Sequence, residues 1–370
     1  MPSSPMRIVI TGADGFIGKN LAVRLTERGH DIMPITRGTT PADARSALAS
    51  CAVVFHLAGV NRPTDPSGFI RDNRDFTAWL AETIAKGGRH PLVVFASSAR
   101  APDDSDYGSS KRAAEDALLA IGHSASVSIW RLPNIFGKWA RPHYNSVVAT
   151  FCHQCALGQP VRIDDPAAPL TLCYIDDLID EWIALLDDPA PSPGFATPRT
   201  AWTLTVGELA ALIEGMADDR RRGRIGPVAA GVQRALFATF MSHIPEQDFA
   251  TLLSPHRDAR GSFAELLRNS LCGQMSVLTA HPGVTRGGHY HHSKVERFVV
   301  VHGRARIRFR QIVSGATHEV MTSGEAPTIV ETVPGWTHDI TNVGDGELVT
   351  LIWANEPFDP ERPDTFALPL

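Results

Sequence analysis

The sequence predicts a doubly wound α/β domain with a parallel sheet, followed by an all-β barrel. Up to about residue 250, apolar valine-rich runs alternate with segments of helical spacing. Beyond that point, short valine-rich and aromatic-rich runs are separated by glycine turns. The chain has 370 residues, 43% of them hydrophobic, which is enough to bury the cores of roughly two domains. We therefore expect a division into residues 1–250 and 251–370.

Composition excludes several classes of protein. A formal net charge of -5 gives no general attraction to nucleic acid or to an anionic membrane, so an anionic ligand has to be held by local groups. The five cysteines are odd in number and scattered, which argues against a disulfide framework. No apolar run approaches the ~20 residues of a membrane span, and no signal-peptide pattern precedes Arg7. We expect a soluble cytoplasmic protein.

The first element is a strand, a glycine turn and a helix. "RIVITG" predicts a buried strand, and "KNLAVRLTERG" has helical spacing and ends at Gly29. Between them, Gly12, Gly15 and Gly18 form G-x-x-G-x-x-G, a variant of the dinucleotide-binding pattern. A glycine turn of another α/β protein is the alternative, but the position between a first strand and a helix favours pyrophosphate binding.

The second strand, "HDIMPITRG", predicts which dinucleotide is bound. The residue at the end of this strand meets the adenosine ribose, where an acid selects NAD and an arginine accommodates the 2′-phosphate of NADP. Here Thr36 and Arg37 stand at that place. They favour NADPH, with a surface arginine that merely ends a strand as the alternative.

The next strands lead to a candidate catalytic pair. "CAVVFHLAGV" and "HPLVVFASSA" predict two further buried parallel strands, the second ending at Ser97 and Ser98. In "YGSSK", Tyr107 and Lys111 are four residues apart, which places both on one face of a helix. A nearby lysine lowers a tyrosine pKa towards neutrality and suits the phenol to donate a proton to a carbonyl oxygen during hydride transfer.

Together, "TGADGFIG", "HLAG", "SS" before "YGSSK" and "RLPNIFG" resemble the extended short-chain dehydrogenases/reductases, which act mostly on nucleotide-linked sugars. The resemblance implies Ser98, or Ser97 in the other register, as hydrogen-bond donor to the substrate carbonyl. It implies Tyr107 as acid/base and Lys111 as its electrostatic partner and a ribose contact. The cofactor residues that it implies are Gly12, Gly15, Phe16, Ile17, Gly18, Arg37, Leu57, Ala58 and Lys111.

The same resemblance implies where the substrate binds. Asn134, in "RLPNIFG", is expected near the substrate diphosphate. Arg141, His143 and Asn145, in the segment that follows, are candidate diphosphate contacts. A solvated loop is the alternative for these three residues.

The second half of the chain contains a pattern of metal-ligand residues. His289 and His291 alternate, so on a strand both project to one face, and Glu296 begins the next apolar run. His338 lies far downstream in "PGWTHDITN". Three imidazoles and a carboxylate inside a barrel suit zinc, manganese, iron or nickel. Histidines that line a metal-free sugar pocket are the alternative.

This spacing resembles the cupin superfamily, whose first motif G-x5-H-x-H-x4-E-x6-G is matched from Gly283. The second motif departs from the pattern, with Pro-Gly adjacent and the preceding glycine displaced. A reductase fused to a cupin, with "HLAGVNRP", "NIFGKW", "YNSVVATFC" and "LTLCYIDDL", resembles the CapF-type bifunctional enzymes of capsule and O-antigen synthesis. The two predicted domains are then an NADP-binding reductase domain over 1–250 and a cupin domain over 251–370, with a metal site that is expected to hold Zn²⁺.

The resemblance implies a pathway step towards UDP-N-acetyl-L-fucosamine. The cupin inverts C3 of a UDP-2-acetamido-2,6-dideoxy-4-hexulose, and the reductase reduces its C4 ketone with NADPH to a UDP-2-acetamido-2,6-dideoxy-L-talose. A homodimer is expected by analogy with other cupins. The alternatives are a 4-ketoreductase whose cupin only dimerises or binds sugar, an NAD-dependent 4-epimerase and an iron-dependent cupin oxygenase. Lys294, Asp339 and the remaining histidines are candidates for the base of the cupin reaction.

Overall fold

The computed structural model describes residues 5–65, 67–188 and 192–370. Its contacts divide the chain into two units, one of residues 1–213 with 234–244 and one of residues 214–233 with 245–370. The predicted division into functional domains at residue 250 stays a prediction, because a partition by contacts does not define where an activity begins. In the described ranges, no helix is both long and apolar enough to cross a membrane.

The first unit is built on parallel strands. The strands before the barrel are β1 (Arg7–Thr11), β2 (Asp31–Ile35), β3 (Val53–His56), β4 (Leu92–Ser98), β5 (Ser126–Leu132), β6 (Asn134–Phe136), β7 (Pro169–Tyr174), β8 (Gly194–Ala196) and β9 (Trp202–Thr205). Six of them form a sheet of order β2-β1-β3-β4-β5-β8, in which every neighbouring pair is parallel. β6, β7 and β9 form a separate three-stranded sheet.

Helices follow most of these strands. They are α1 (Phe16–Glu27), α2 (Pro41–Ser50), α3 (Ser67–Phe69), a π-helical turn (Ile70–Asp75), α4 (Phe76–Lys86), α5 (Asp106–Leu119), α6 (Val147–Ala156), α7 (Ile175–Asp187), α8 (Val206–Arg221), α9 (Gly231–Met241) and a 3₁₀ turn (Glu246–Asp248). Apolar residues of α2, α4 and α5 pack on the valine-rich strands in one buried core. The alternation of strand and helix confirms the predicted doubly wound α/β class.

The strand order fixes where a ligand can bind. β1 lies between β2 and β3, so the chain crosses to one side of β1 and then to the other. Ligands of open α/β sheets bind outside the carboxyl ends of the strands at such a switch point. The glycine turn follows β1 and "HLAG" follows β3, so both predicted cofactor segments meet at this place.

A buried polar chain joins these two segments. Oγ1 of Thr11 accepts the amides of Leu57 and Ala58, each at 3.1 Å, and lies 2.7 Å from Nδ1 of His56. Nε2 of His56 lies 2.8 Å from Oγ1 of Thr77, which donates in turn to a carbonyl of the preceding helical turn. Thr11 therefore donates to Nδ1, and the neutral imidazole donates from Nε2. Burial, assisted by the charge of Lys111, lowers the pKa of His56 to about 3.

The second unit contains two antiparallel sheets. Its strands are β10 (His256–Asp258), β11 (Gly261–Asn269), β12 (Gly273–Ala280), β13 (Thr285–Tyr290), β14 (Glu296–His302), β15 (Arg304–Gln311), β16 (Thr317–Ser323), β17 (Ile329–Glu331), β18 (Trp336–Asn342), β19 (Leu348–Ala354) and β20 (Phe366–Ala367). The sheet orders are β10-β11-β12-β19-β14-β17 and β16-β15-β18-β13-β20. Their facing apolar side chains form one core, which confirms the predicted all-β class for this part.

Candidate active site and metal centre

The glycine turn brings the start of α1 close to the sheet. Gly12 has a φ of +68°, and a Cβ on it would lie 2.9 Å from backbone atoms of Ala58. A Cβ on Gly18 would overlap the carbonyl oxygen of Gly12. Gly15 precedes α1 as its N-cap, and the first helical turn contains no acidic residue. The turn therefore leaves helix amides available to a pyrophosphate at the switch point.

The other predicted cofactor residues lie around this turn. Phe16 and Ile17 form the first turn of α1. Leu57 and Ala58 follow β3, the neighbour of β1. Arg37 is exposed just beyond the end of β2. All of them stand at the carboxyl edge of the three strands that surround the switch point.

A cleft of about 800 Å³ opens along this edge in the first unit. Its size lies within the ~300–1,000 Å³ that small-molecule sites occupy. Gly15 and Phe16 line one part of it, and Ser98 and Tyr107 line another. The predicted cofactor turn and the predicted catalytic residues Ser98 and Tyr107 therefore border one cavity, whereas Lys111 is not among the described residues that line it.

The two serines at the end of β4 have different partners. Ser97 donates to the carboxylate of Glu115, which also forms an ion pair of 2.7 Å with Arg131. Ser98 shares a hydrogen bond with Tyr107. Of the two registers that the sequence allowed, the structure brings Ser98 to the tyrosine and directs the hydroxyl of Ser97 towards helix α5.

Lys111 lies on α5 one turn after Tyr107, and a backbone carbonyl holds its ammonium group. Nζ donates to the carbonyl of Ala96 at 2.9 Å and lies 4.9 Å from the ring centroid of Phe95. Burial lowers the pKa of Lys111 to about 8, although the charge of Glu115 raises it. The lysine is therefore a buried cation one helical turn from Tyr107, the predicted acid/base residue.

The phenol of Tyr107 is held in its protonated form. Burial raises its pKa above the ordinary value, and the hydrogen bond with Ser98 and the charge of Arg100 oppose that effect. The guanidinium of Arg100 lies 5.9 Å from the tyrosine ring centroid. The sequence predicted that Lys111 lowers this pKa towards neutrality. In the structure, Ser98 and Arg100 are the groups that lower the pKa of Tyr107 against the effect of burial. The ammonium group of Lys111 is instead bonded to the carbonyl of Ala96.

Three of the four predicted diphosphate contacts line the cleft, namely Asn134, Arg141 and Asn145. His143 is not among the described residues that line it. The ring of His143 lies 5.8 Å from that of His153, and its backbone has a φ of +57°. The structure therefore brings His143 to helix α6 rather than to the cleft.

Several residues of the cleft were missed from the sequence. Its lining also includes Arg62, Arg100, Trp139 and Tyr144. Arg141 lies 5.5 Å from the Tyr144 ring centroid, and Lys138 lies 5.4 Å from that of Trp139. The mixture of basic and aromatic residues in "KWARPHYN" was the available signal. Glu115 was also missed, although it continues the four-residue spacing of Tyr107 and Lys111.

In the second unit, three histidines and a glutamate converge. One potential ligand atom from each of His289, His291, Glu296 and His338 lies within 4.8 Å of the others. His289 and His338 are direct partners across β13 and β18. β13 ends at Tyr290, so His291 lies one residue beyond the strand rather than on it. The rings of His289 and His291 nevertheless approach to 5.0 Å, because the chain turns only after His291.

A bulge in β13 sets this geometry. The pairing with β18 shifts register between Gly287 and His289. Gly287 has a φ of +94°, and a Cβ there would lie 2.9 Å from the carbonyl oxygen of His338. The extra residue re-aims His289 towards His338, which is a common use of a bulge beside a functional site.

The hydrogen bonds of two histidines fix their tautomers. Nδ1 of His291 lies 2.5 Å from the carbonyl oxygen of Asp364, and Nδ1 of His338 lies 3.3 Å from that of Trp336. A carbonyl only accepts, so Nδ1 carries the hydrogen and Nε2 presents a lone pair. These Nε2 atoms lie 3.3 and 3.4 Å from Oε2 of Glu296, and that of His338 is buried without a hydrogen-bond partner.

This arrangement fits a divalent metal ion. Two nitrogen lone pairs and a carboxylate facing one point are a donor set that a divalent cation of borderline ligand preference binds. Burial raises the pKa of Glu296, but positive charge or a hydrogen on the Nε2 side of His291 and His338 outweighs it and holds the pKa well below its usual range. With the hydrogens on Nδ1, a bound cation would supply that positive charge. Burial lowers the pKa of His289 to about 4. An ionised carboxylate and neutral imidazoles are the forms that bind metal.

The two named candidates for the cupin base are engaged elsewhere. Nζ of Lys294 donates to the carbonyl of Pro363 at 3.0 Å and to Oγ1 of Thr365 at 2.9 Å. Asp339 follows His338 on β18, so its side chain points to the other face, where it pairs with Arg308. Neither side chain is directed at the four-residue cluster.

Comparison with known proteins identifies both halves of the chain. Residues 8–195 match the model of the NAD dependent epimerase/dehydratase family, and residues 256–366 match the polysaccharide biosynthesis C-terminal domain. A curated relative from Pseudomonas aeruginosa, UDP-2-acetamido-2,6-beta-L-arabino-hexul-4-ose reductase, is 45% identical over 98% of this chain and 98% of its own.

Solved structures agree with this assignment. The capsular polysaccharide assembling protein CapF from Staphylococcus aureus is 36% identical, with a TM-score of 0.91 over 99% of this chain and 100% of its own. The Bordetella bronchiseptica enzyme WbmF in complex with NAD⁺ is 18% identical, with a TM-score of 0.55 over 65% of this chain and 92% of its own. The likeness to WbmF concerns the fold alone.

Proposed function

Because the chain belongs to the NAD dependent epimerase/dehydratase family, whose members are NAD(P)-dependent enzymes, we propose that it is a bifunctional sugar-nucleotide enzyme of capsule biosynthesis. Its barrel inverts C3 of a UDP-2-acetamido-2,6-dideoxy-4-hexulose. Its N-terminal domain then reduces the C4 ketone with NADPH to a UDP-2-acetamido-2,6-dideoxy-L-talose. The name of the Pseudomonas relative, a UDP-linked hexul-4-ose reductase, supports the second step.

The hydrogen bond between Ser98 and Tyr107 at the wall of the cleft carries the reductase assignment. Bound NADPH supplies the hydride that C4 receives. Tyr107, protonated at neutral pH, donates its phenolic proton to the ketone oxygen, and Ser98 donates a hydrogen bond to that oxygen. The buried ammonium of Lys111 stabilises the phenolate that remains until solvent returns a proton.

Arg37 supports NADPH as the reductant. It is exposed at the carboxyl end of β2, where the adenosine ribose of a dinucleotide lies in this fold. Its guanidinium suits a 2′-phosphate, which it meets with paired hydrogen bonds. Asn134, Arg141 and Asn145 line the cleft where the diphosphate of a UDP-sugar is expected.

The barrel reaction uses the same ketone. A carbonyl at C4 makes the proton on C3 acidic, because the resulting carbanion is an enolate. His289, His291, Glu296 and His338 would hold a divalent ion, which we assign as Zn²⁺, and such an ion supplies Lewis acidity. One substrate therefore passes through both chemistries, which accounts for the fusion of two domains.

A second candidate function has one observation in its favour. Lys294 and Asp339 are both bonded away from the four-residue cluster, so neither is in place as the base for epimerisation. In this alternative the barrel only binds sugar or dimerises, and the N-terminal domain alone is catalytic. The two candidates differ in whether the proton on C3 exchanges with solvent.

The test is turnover of the UDP-linked 4-keto-6-deoxy amino sugar with NADPH in heavy water, followed by NMR of the product. Bifunctional catalysis predicts deuterium at C3, inverted configuration and consumption of NADPH. Reduction without deuterium at C3 would leave the barrel as a binding module. An absence of both reactions would contradict the assigned substrate.

A variant separates the two steps. Tyr107→Phe removes the proton donor of the reductase, so we expect C3 exchange without NADPH consumption. His338→Ala removes a residue of the metal cluster, so we expect loss of C3 exchange. We also propose that the protein is a homodimer joined through its barrel strands and that it works in the cytoplasm. Sedimentation equilibrium measures the oligomeric state.

A further inference from the structure

The last residues of the chain lie against the metal cluster. Residues 363–368, which we call the C-terminal strap, include β20. β20 pairs with β13 in the register His289↔Ala367, so the C-terminal strap lies directly beside the strand that carries a cluster histidine. The amide of Leu368 donates to the carbonyl of Gly288 at 2.8 Å, at the bulge that re-aims His289.

One residue of the strap, Asp364, holds the loop that joins His291 to Glu296. We call residues 291–296 the ligand loop. The carboxylate of Asp364 accepts the amides of His292, Ser293 and Lys294 at 2.9, 2.9 and 2.8 Å. It also accepts the hydroxyl of Ser293 at 3.0 Å. Four hydrogen bonds to one carboxylate fix the course of this loop.

The backbone of the same residue orients a cluster histidine. The carbonyl oxygen of Asp364 accepts from Nδ1 of His291, which turns Nε2 of that ring towards Glu296. Asp364 has a φ of +38°, a left-handed conformation that is uncommon outside glycine. Such conformations persist where the surroundings determine them, and they concentrate at functional sites.

The ligand loop in turn donates hydrogen bonds to the C-terminal strap. Nζ of Lys294 donates to the carbonyl of Pro363 and to Oγ1 of Thr365, the residues on either side of Asp364. Lys294 is buried, with 6% of its surface exposed, so these bonds are shielded from water. The loop and the strap therefore hold each other through contacts on both sides of Asp364.

We propose that Asp364 is a positioning residue of the metal centre, acting through His291 and the ligand loop. This inference rests on the metal centre of the proposed function and adds a residue some seventy positions beyond the first histidines in the sequence. Partners that orient a metal-binding histidine typically change metal affinity by about 10–100-fold when they are replaced. The carboxylate of Asp364 keeps its own carbonyl in place, so its loss frees His291 to rotate.

The test measures Zn²⁺ affinity of the full-length protein by competition with a chromophoric chelator. We expect Asp364→Ala to bind Zn²⁺ about 10–100-fold more weakly than the unchanged protein. Asp364→Asn, which keeps one oxygen acceptor, should lie between the two. Asp359→Ala is the matched control, because Asp359 belongs to the same C-terminal region and pairs only with its neighbours Glu361 and Arg362 among the described contacts.

A second readout separates positioning from a general structural role. With Co²⁺ in place of Zn²⁺, the ligand-field absorption of Asp364→Ala should change while NADPH-dependent reduction of a 4-keto sugar already inverted at C3 continues. Equal Zn²⁺ affinity and equal Co²⁺ spectra in Asp364→Ala and Asp359→Ala would overturn the inference. If Asp364→Ala does not fold, Asp364→Asn decides by the same comparison. Failure of the unchanged protein to bind Zn²⁺ would instead refute the metal centre itself.

Discussion

Replacement of Ser98 by alanine should remove most of the reductase activity, whereas the same change at Ser97 should not. The two hydroxyls are adjacent at the end of β4, and both residues are buried. Ser98 bonds Tyr107 in the cleft, and Ser97 bonds Glu115 beside helix α5. The pair therefore provides a functional variant and a control that are matched in residue type and in burial.

The expected magnitudes follow from these partners. Loss of one positioned donor to a developing oxyanion lowers kcat by about 10²–10³-fold, so Ser98→Ala should lose that much with little change in KM. Ser97→Ala removes one hydrogen bond to a buried carboxylate. Glu115 keeps two hydrogen bonds from Arg131, of 3.1 and 2.7 Å. The free energy of unfolding of Ser97→Ala should therefore fall by about 1.5 kcal/mol, the lower end of the range for hydrogen bonds to charged groups.

Two assays separate the variants. Initial rates of NADPH oxidation with the 4-keto sugar give kcat and KM, and urea denaturation gives the free energy of unfolding. We expect the kcat of Ser98→Ala to fall about 10²–10³-fold and that of Ser97→Ala to stay near the unchanged value. Both variants should lose some stability, because Oγ of Ser98 also accepts the amide of Arg100 at 3.1 Å, so kcat is the quantity that distinguishes them. A kcat for Ser97→Ala as low as that of Ser98→Ala would refute the assignment of register.

Three further predictions concern the first unit. Gly12→Ala should lower the free energy of unfolding by about 2–5 kcal/mol, the sum of left-handed strain and a clash with Ala58. Gly29→Ala, with φ +81° and open space around it, should lower it by only about 1–2 kcal/mol, and equal losses in urea denaturation would contradict the clash. The reduction rate should fall as pH rises through the pKa of Lys111, about 8, because the ammonium is lost, and a flat alkaline profile would argue against its role. Arg37→Ala should raise KM for NADPH about tenfold, as one lost contact of ~1.4 kcal/mol requires, and leave KM for NADH unchanged; equal effects on both would exclude a 2′-phosphate contact.

The sequence predicted which residues form the reductase site, but it left open which of the two adjacent serines faces the cleft. Tyr107 and Lys111 were recognisable because helical spacing places them on one face, and Gly12 because a strand and a helix flank its turn. The sequence cannot say which of two neighbouring serines faces a cleft, since that depends on the twist at the end of β4. His143 was a reasonable contact by position, yet its left-handed backbone directs it to His153.

The candidate metal centre shows the same division. His289, His291 and Glu296 are close in sequence, so their grouping was readable, and His338 stood out beside a turn. Asp364 carried no such signal. Its role arises because β20 returns to pair with β13, and a pairing between segments so far apart has no counterpart in local spacing. Long-range strand register is therefore what sequence patterns omit here.

The neutral imidazole of His56 makes the N-terminal domain sensitive to acid. Its pKa is about 3, compared with 6.5 in an unfolded chain, so between these values the unfolded state binds a proton that the native state refuses. The native state consequently loses about 1.4 kcal/mol of stability for each pH unit of acidification in this window. Protonation of His56 would also break the hydrogen bond that its Nδ1 accepts from the hydroxyl of Thr11. The same hydroxyl accepts the amide of Leu57 and so joins the segment after β3 to the end of β1, just before the glycine turn. Binding of a dinucleotide at this turn would in this way depend on the protonation of a buried imidazole in the neighbouring strand.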